Sequence, residues 1–355
     1  MLAIVAPIIG IYSDILKRRK IFLVVSSILT CFFAFILWFA DPSKNILIIF
    51  LIIIALGNIC FEISTVFYNA LLKKVSNEKN IGRISGIAWS LGYIGGIVSL
   101  IICLFLFINP TKPIFNLDKE KFEHIRIIGP FIGLWFLIFS LPSFIYIKEK
   151  KTKIKNINLI NNIKKTFLSI NKTTLKFLIS RMLYTDGLNT LFAFGGIYAA
   201  TLFDMNFKEI ILFGIALNVS AGIGSIIFAF FDDQYGPKKI IKICLLSLIF
   251  ICSLILLSNS KILFWILGIG IGLFIGGLQS TSRSCMARLS KKNDQSRMFG
   301  IYGLSGKITA FLGPYFVAVL TTTFNNQKAG FVSIIIFFIL GYLIIRNLKL
   351  PYYSK

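Results

Sequence analysis

Acidic residues are scarce in this chain: 14 Asp and Glu stand against 38 Lys and Arg in 355 residues, a formal net charge of +24. Histidine is scarcer still, with His124 alone. One imidazole with no nucleophile and base gathered around it leaves no catalytic constellation to read, so the chain is not expected to be an enzyme. The six cysteines (Cys31, Cys60, Cys103, Cys244, Cys252, Cys285) lie singly inside apolar runs. They read as small core residues, and neither disulfides nor a metal site is expected. Nucleotide loops are missing too. The run GIGIGLFIGG (268–277) lies inside an apolar segment with no strand before it. In GLSGKI (303–308) Ile301 stands where the first P-loop glycine belongs and Ile308 where Ser or Thr belongs. No cofactor is expected. Lastly, there is no polar basic domain, so the excess positive charge does not describe a nucleic-acid surface.

What the chain does have is apolar length. Hydrophobic residues make up 56% of it and the mean hydropathy is +0.83. A soluble protein of this size cannot bury that much apolar surface, so the composition reads as an integral membrane protein whose principal partner is the lipid bilayer. About 20 apolar residues cross the hydrocarbon core as a helix, and nearly the whole chain divides into such runs. Alternating ten-residue barrel strands are absent, so the fold class is all-α. Spans are expected near 1–13, 21–40, 46–72, 84–109, 127–147, 174–203, 210–231, 240–258, 262–287, 298–323 and 329–347.

The loops alternate in charge. The basic set runs from Lys17–Lys20 through Lys73, Lys74, Lys79 and Arg83 to the Lys-rich connection after 147. It continues with Lys238 and Lys239, then Arg288, Lys291, Lys292 and Arg297, then Arg346 and Lys349. The positive-inside rule puts this set, and with it the C-terminus, in the cytoplasm, and all eleven spans then alternate without conflict. The domains read as an N-terminal bundle 1–147, a cytoplasmic linker 148–173 and a C-terminal six-helix bundle 174–355. In the linker, Ile154, Ile157, Ile160, Ile163 and Phe167 recur at three- and four-residue spacing. That is the pattern of an amphipathic helix on the inner surface; a solvated connection is the alternative.

The two sides of the linker repeat each other. DILKRRK (14–20) corresponds to DQYGPKK (233–239) at an offset of 219, and RISG (83–86) to RMFG (297–300) at 214. A parallel repeat with a basic central linker is the layout of a transporter whose halves rock against each other. The span 174–203 has no counterpart, and a first span of 13 residues reaches only about 20 Å against a core of about 30 Å. One helix and part of the next are therefore expected before Met1, as a mis-set start, a separately encoded helix or a lost segment. In the last case the chain is a degenerate or split remnant without transport of its own.

GIYSDILKRRK (10–20) resembles the conserved loop between the second and third helices of the major facilitator superfamily. Gly10, Asp14, Arg18 and Arg19 match that pattern, while Lys17 stands where glycine is expected. With FEISTVFYNALL (61–72), IGRISGIAWSLGYIGG (81–96), GGLQSTSRSCMARL (276–289) and FGIYGLSGKITAFLGP (299–314), the chain resembles the "unknown major facilitator" family, which includes vacuolar effluxers linked to autophagy. The resemblance implies two pseudo-symmetric helical bundles, about 11 helices of an expected 12, and a secondary permease for a small polar metabolite. Its vacuolar relatives are associated with amino-acid export. It also implies that the loop Asp of one half caps a helix of the other: Asp14 the start at Arg297–Gly300, Asp233 the start at Gly82–Gly86.

Ionisable side chains inside spans are costly, and they usually face a cavity or a partner. Glu62, Asp186 and Lys307 are expected to line a path that holds the two ends of a zwitterion, with a coupling proton on either carboxylate; a buried ion pair is the alternative. Tyr93 is the repeat counterpart of Lys307. Asn58, Asn189, Asn218 and Gln279 are polar candidates that interhelical hydrogen bonds explain equally well. A gating set comprises Asp14, Arg18, Arg19, Asp233, Arg83 and Arg297, joined by Asn69 and Arg283 at matching repeat positions. Snorkelling is the alternative for Arg181 and Arg283. Small-residue pairs at Gly268/Gly272/Gly276, Gly82/Gly86 and Gly92/Gly96 are expected to admit close helix approach.

Overall fold

The computed structural model describes residues 2–41, 47–110, 115, 117–149 and 170–350. Among these there is no strand. The apolar runs form α1 (Leu2–Leu16), α2 (Arg19–Ile36, ending in a 3-10 turn), α3 (Leu47–Ala70), α4 (Leu72–Val75) and α5 (Ile81–Ile102). A π-helical stretch, Cys103–Ile108, follows α5. Then come α6 (Glu123–Arg126), α7 (Ile128–Tyr146), α8 (Lys172–Phe203), α9 (Phe207–Tyr235) and α10 (Pro237–Leu257). The last helices are α11 (Lys261–Leu289), α12 (Gln295–Ser305), α13 (Leu312–Phe324) and α14 (Gln327–Arg346). Local sequence sets several starts. Asn171 Oδ1 accepts from Thr174 N at 2.7 Å, and Asn206 and Glu209 close a reciprocal capping box on α9.

Among the described residues, eight helical stretches are suited by length and composition to crossing a membrane, and Val5–Leu16 and Leu312–Phe324 are shorter apolar helices. The expected run 298–323 is not one helix. It breaks at 306–311 between α12 and α13. The amphipathic segment expected inside 148–173 falls mostly outside the described residues.

The chain divides into two compact units. Unit 1 holds Met1–Leu71, Gly95–Asn162 and Asn293–Gly300; unit 2 holds Leu72–Ile94, Ile163–Lys292 and Ile301–Lys355. In unit 1, α2 packs along α3 and α7, and α1 against α3. Leu23, Phe67 and Leu71 form a buried cluster there, covered by Phe22, Ile63 and Phe144. Glu149, just beyond α7, accepts from Lys20 N at 2.9 Å and so serves the start of α2. In unit 2, α9 packs on α11, α8 on α14, and α10 on both α11 and α14.

Glycines set the closest approaches. A β-carbon on Gly224 would run into the Leu273 carbonyl, and one on Gly276 into the Ala221 carbonyl, so α9 and α11 meet backbone to backbone. Gly82 and Gly86 likewise face the end of α9. Gly92 and Gly96 do not behave as expected: a β-carbon on either would meet no atom of another element within 4 Å.

The repeat reappears in the backbone. Gly236, which ends α9, has φ 84°, and its counterpart Lys17, after α1, has φ 53°. The motif places glycine at this position because a β-carbon there costs roughly 1–2 kcal/mol. Lys17→Gly is therefore expected to raise stability by about 1 kcal/mol, read as a higher Tm of the purified protein in detergent. An unchanged or lower Tm would contradict the strain argument.

Candidate functional site

The most completely built polar features are two matched helix caps. In unit 1, Asp14 lies in the last turn of α1 with its side chain 6% exposed. Its Oδ1 accepts from Ser296 N at 3.1 Å and its Oδ2 from Arg297 N at 2.8 Å, at the start of α12. Arg19 Nε donates to the same carboxylate at 2.9 Å. Gly10 makes room, since a β-carbon there would press on the Ser296 carbonyl at 2.5 Å; Gly300 does the same against Ala6 and Pro7. In unit 2, Asp233 repeats the arrangement at the start of α5. Its Oδ1 accepts from Gly82 N at 2.7 Å and its Oδ2 from Arg83 N at 2.8 Å. Arg83 Nε adds a bond to Oδ2 at 3.3 Å, while its guanidinium lies over the Phe230 ring. A carboxylate at two free N–H groups gains from both the charged hydrogen bonds and the helix dipole.

The caps differ in their bracing, and this the sequence reading missed. Arg288, with its side chain 4% exposed, donates to Asp232 Oδ1 at 2.7 Å and to Asp233 Oδ1 at 2.9 Å. Ser284 also donates to Asp232. The counterpart of Asp232 in the first half is Ser13, whose hydroxyl meets Ser296 Oγ at 3.5 Å. The doubled acid in FDDQY was the available signal. Of the remaining gating candidates, Arg18 is exposed at the start of α2 with no capping bond from its side chain, and Arg297 pairs with Asp294 at 2.8 Å.

The two arginines read as possible snorkellers both make defined contacts with other helices. Arg283 is 4% exposed and donates to Ser85 Oγ at 2.9 Å and Ser85 O at 2.5 Å, beneath the Trp89 ring. Arg181 stacks on Tyr302, 3.4 Å from the ring centroid, and donates to Tyr302 O at 2.5 Å and Ser305 Oγ at 2.8 Å. It thereby closes the C-terminal end of α12 at the break. Asn69, paired with Arg283 by the repeat, lies half-buried in unit 1.

Among the path candidates, unit 2 joins two directly: Tyr93 OH donates to Gln279 Oε1 at 2.6 Å. Asp186 on α8 is 1% exposed, and neither of its oxygens has a hydrogen-bond partner. The buried Thr309 hydroxyl, from the turn between α12 and α13, stands beside it and is the one polar group aimed at that carboxylate. Lys307 in the same turn is exposed, as is Asn189. Asn218 turns its amide back to Gly214 O at 2.8 Å, which marks it as structural. Glu62 is half-buried and Asn58 exposed on α3 of unit 1. Among the described residues no three His, Cys, Asp or Glu side chains gather as for a metal ion.

Residues 1–81 and 73–350 match the family described as "Vacuole effluxer Atg22 like". YxiO of Bacillus subtilis, an uncharacterized MFS-type transporter, is 24% identical over 97% of this chain and 81% of its own length. Autophagy-related protein 22-1 of Aspergillus fumigatus is 24% identical over 74% of this chain, which spans only about half (47%) of that protein. Two solved structures share the fold. The E. coli fucose:proton symporter FucP aligns with a TM-score of 0.78 at 14% identity, covering 99% of this chain and 88% of that one. The proton:xylose symporter XylE aligns at 0.79 and 10% identity, covering 100% and 85%.

Proposed function

Because this chain belongs to the Atg22-like vacuole effluxer family of major facilitator transporters, we propose that it exports a small polar metabolite, an amino acid by preference, by alternating access. The chain is a multi-pass membrane protein, and its bacterial relatives fit a plasma-membrane location. In the proposed arrangement it crosses the membrane eleven times and ends in the cytoplasm, with the domains 1–147, 148–173 and 174–355.

The observation that carries this reading is the pair of caps at repeat-related positions, Asp14 on Ser296–Arg297 and Asp233 on Gly82–Arg83. Charged caps at repeat-related positions, one in each half, support a role that the two halves share. A transporter uses each cap as a latch that holds the cytoplasmic side shut and releases when it opens. Glu62, Asp186 and Lys307 are the groups assigned to substrate and coupling ion, with Tyr93, Gln279, Asn58 and Asn189 as polar support.

Efflux and uptake of labelled amino acids in vesicles test the proposal. Glu62→Gln, Asp186→Asn and Lys307→Met are each expected to cut transport at least tenfold. Asp14→Asn is expected to change transport and to raise labelling of inner-side cysteine probes. Full activity in all three neutralised variants overturns the site assignment, and unchanged labelling in Asp14→Asn overturns the latch. A wild-type chain that moves no amino acid overturns the substrate class.

A further inference from the structure

The break at 306–311 has a built floor. Its turns are tight: Gly306 N bonds Gly303 O at 3.2 Å, Lys307 N bonds Leu304 O at 3.0 Å, and Leu312 N bonds Thr309 O at 2.8 Å. Arg181 fixes its α12 side. On the α13 side, a β-carbon at Gly313 would meet the backbone oxygen of Asp186 at 3.1 Å, so the start of α13 sits directly on α8. Thr190 Oγ1, one turn beyond Asp186, donates to that backbone oxygen at 2.6 Å and also abuts Gly313.

At this elbow the Asp186 carboxylate and the Thr309 hydroxyl stand side by side, buried, with no partner beyond each other. An unsatisfied buried carboxylate costs several kcal/mol, and a native fold rarely tolerates one without a use. The donor set selects the occupant. All three atoms are hard oxygens, with no nitrogen or sulfur among them, which suits a hard cation. Their net charge is −1, so a monovalent ion leaves the enclosure neutral, whereas a divalent ion would strand a charge in the membrane. The atoms are buried, which favours a compact ion over the ammonium end of a metabolite with its attached carbon chain. Unwound helix segments are where secondary transporters hold coupling ions.

We infer that Asp186 and Thr309, at the elbow between α12 and α13, form a sodium-binding site. Its use as a coupling site rests on the transport reading above; its existence does not. Equilibrium binding of radiolabelled sodium to the purified full chain in detergent, at fixed pH, tests it. Saturable binding is expected, displaced by lithium and not by potassium or choline. Asp186→Asn is expected to abolish it. Thr309→Val is expected to weaken it about 10- to 100-fold, and Thr309→Ser to retain it, which guards against a variant that merely misfolds. Sodium is also expected to raise the Tm of the wild type but not of Asp186→Asn.

No saturable sodium binding in the wild type, or full binding in Asp186→Asn, overturns the site. A wild type that binds protons but not sodium at Asp186 overturns it equally. Transport without sodium binding removes this inference and leaves the proposed function standing. Sodium binding without transport of any amino acid does the reverse.

Discussion

Arg288→Ala is expected to destabilise unit 2 by about 3–5 kcal/mol, the cost of removing one partner from a buried ion cluster. The guanidinium is 4% exposed and touches two carboxylates that are themselves 1% and 3% exposed. Without it, Asp232 and Asp233 face each other with one missing counter-ion, and only Ser284, Arg83 and the α5 backbone remain to support them. The loss is read as a fall in Tm and in the denaturant midpoint in detergent. Adding Asp232→Asn to Arg288→Ala is expected to recover part of it, because the second change removes the stranded charge. A loss below 1 kcal/mol, or a double variant no better than the single, would show that the cluster is solvated and contributes little.

Gly276→Val is expected to have the next largest effect, about 1–3 kcal/mol or more. The β-carbon would collide with the Ala221 carbonyl, and a main-chain atom cannot step aside as a flexible side chain can. The change separates α9 from α11, the pair that carries Asp232 and Asp233 on one member and Ser284 and Arg288 on the other. Weakened stability should therefore come with a lost constraint on Arg288. A Gly92→Val control, at a glycine with open space around it, is expected to be nearly neutral. Equal losses in the two variants would sink the close-approach argument.

Much of this architecture was legible in the residues. Apolar run length marks the all-helical class, because a bilayer leaves the backbone few alternatives, but it does not show the break inside 298–323. The family resemblance of the loop motif carried further, since it implied helix starts for Asp14 and Asp233 to cap, and the bonds to Arg297 and Arg83 fall at those starts. What stayed hidden depends on tertiary placement. Nothing local in FGIYGLSGKITAFLGP marks 306–311 as an elbow; the turn is held by Arg181, more than 100 residues away in the chain. Arg288 looked like one more inward-facing base because charge counting cannot tell a loop cation from a buried one. Gly92 and Gly96 have the right spacing, yet spacing says nothing about whether a neighbouring helix arrives.

The Tyr93–Gln279 bond also has a direction. The phenol has a single proton, and it is committed to Gln279 Oε1. What remains for any third party is a phenolic lone pair on one side and amide N–H groups on the other. The pair is therefore polarised: it can greet a guest only as an acceptor at Tyr93 and as a donor at Gln279. A guest carrying a hydroxyl, which can give and take in one atom, would read both ends at once, whereas an ether could accept only from Gln279 and a quaternary amine would satisfy neither.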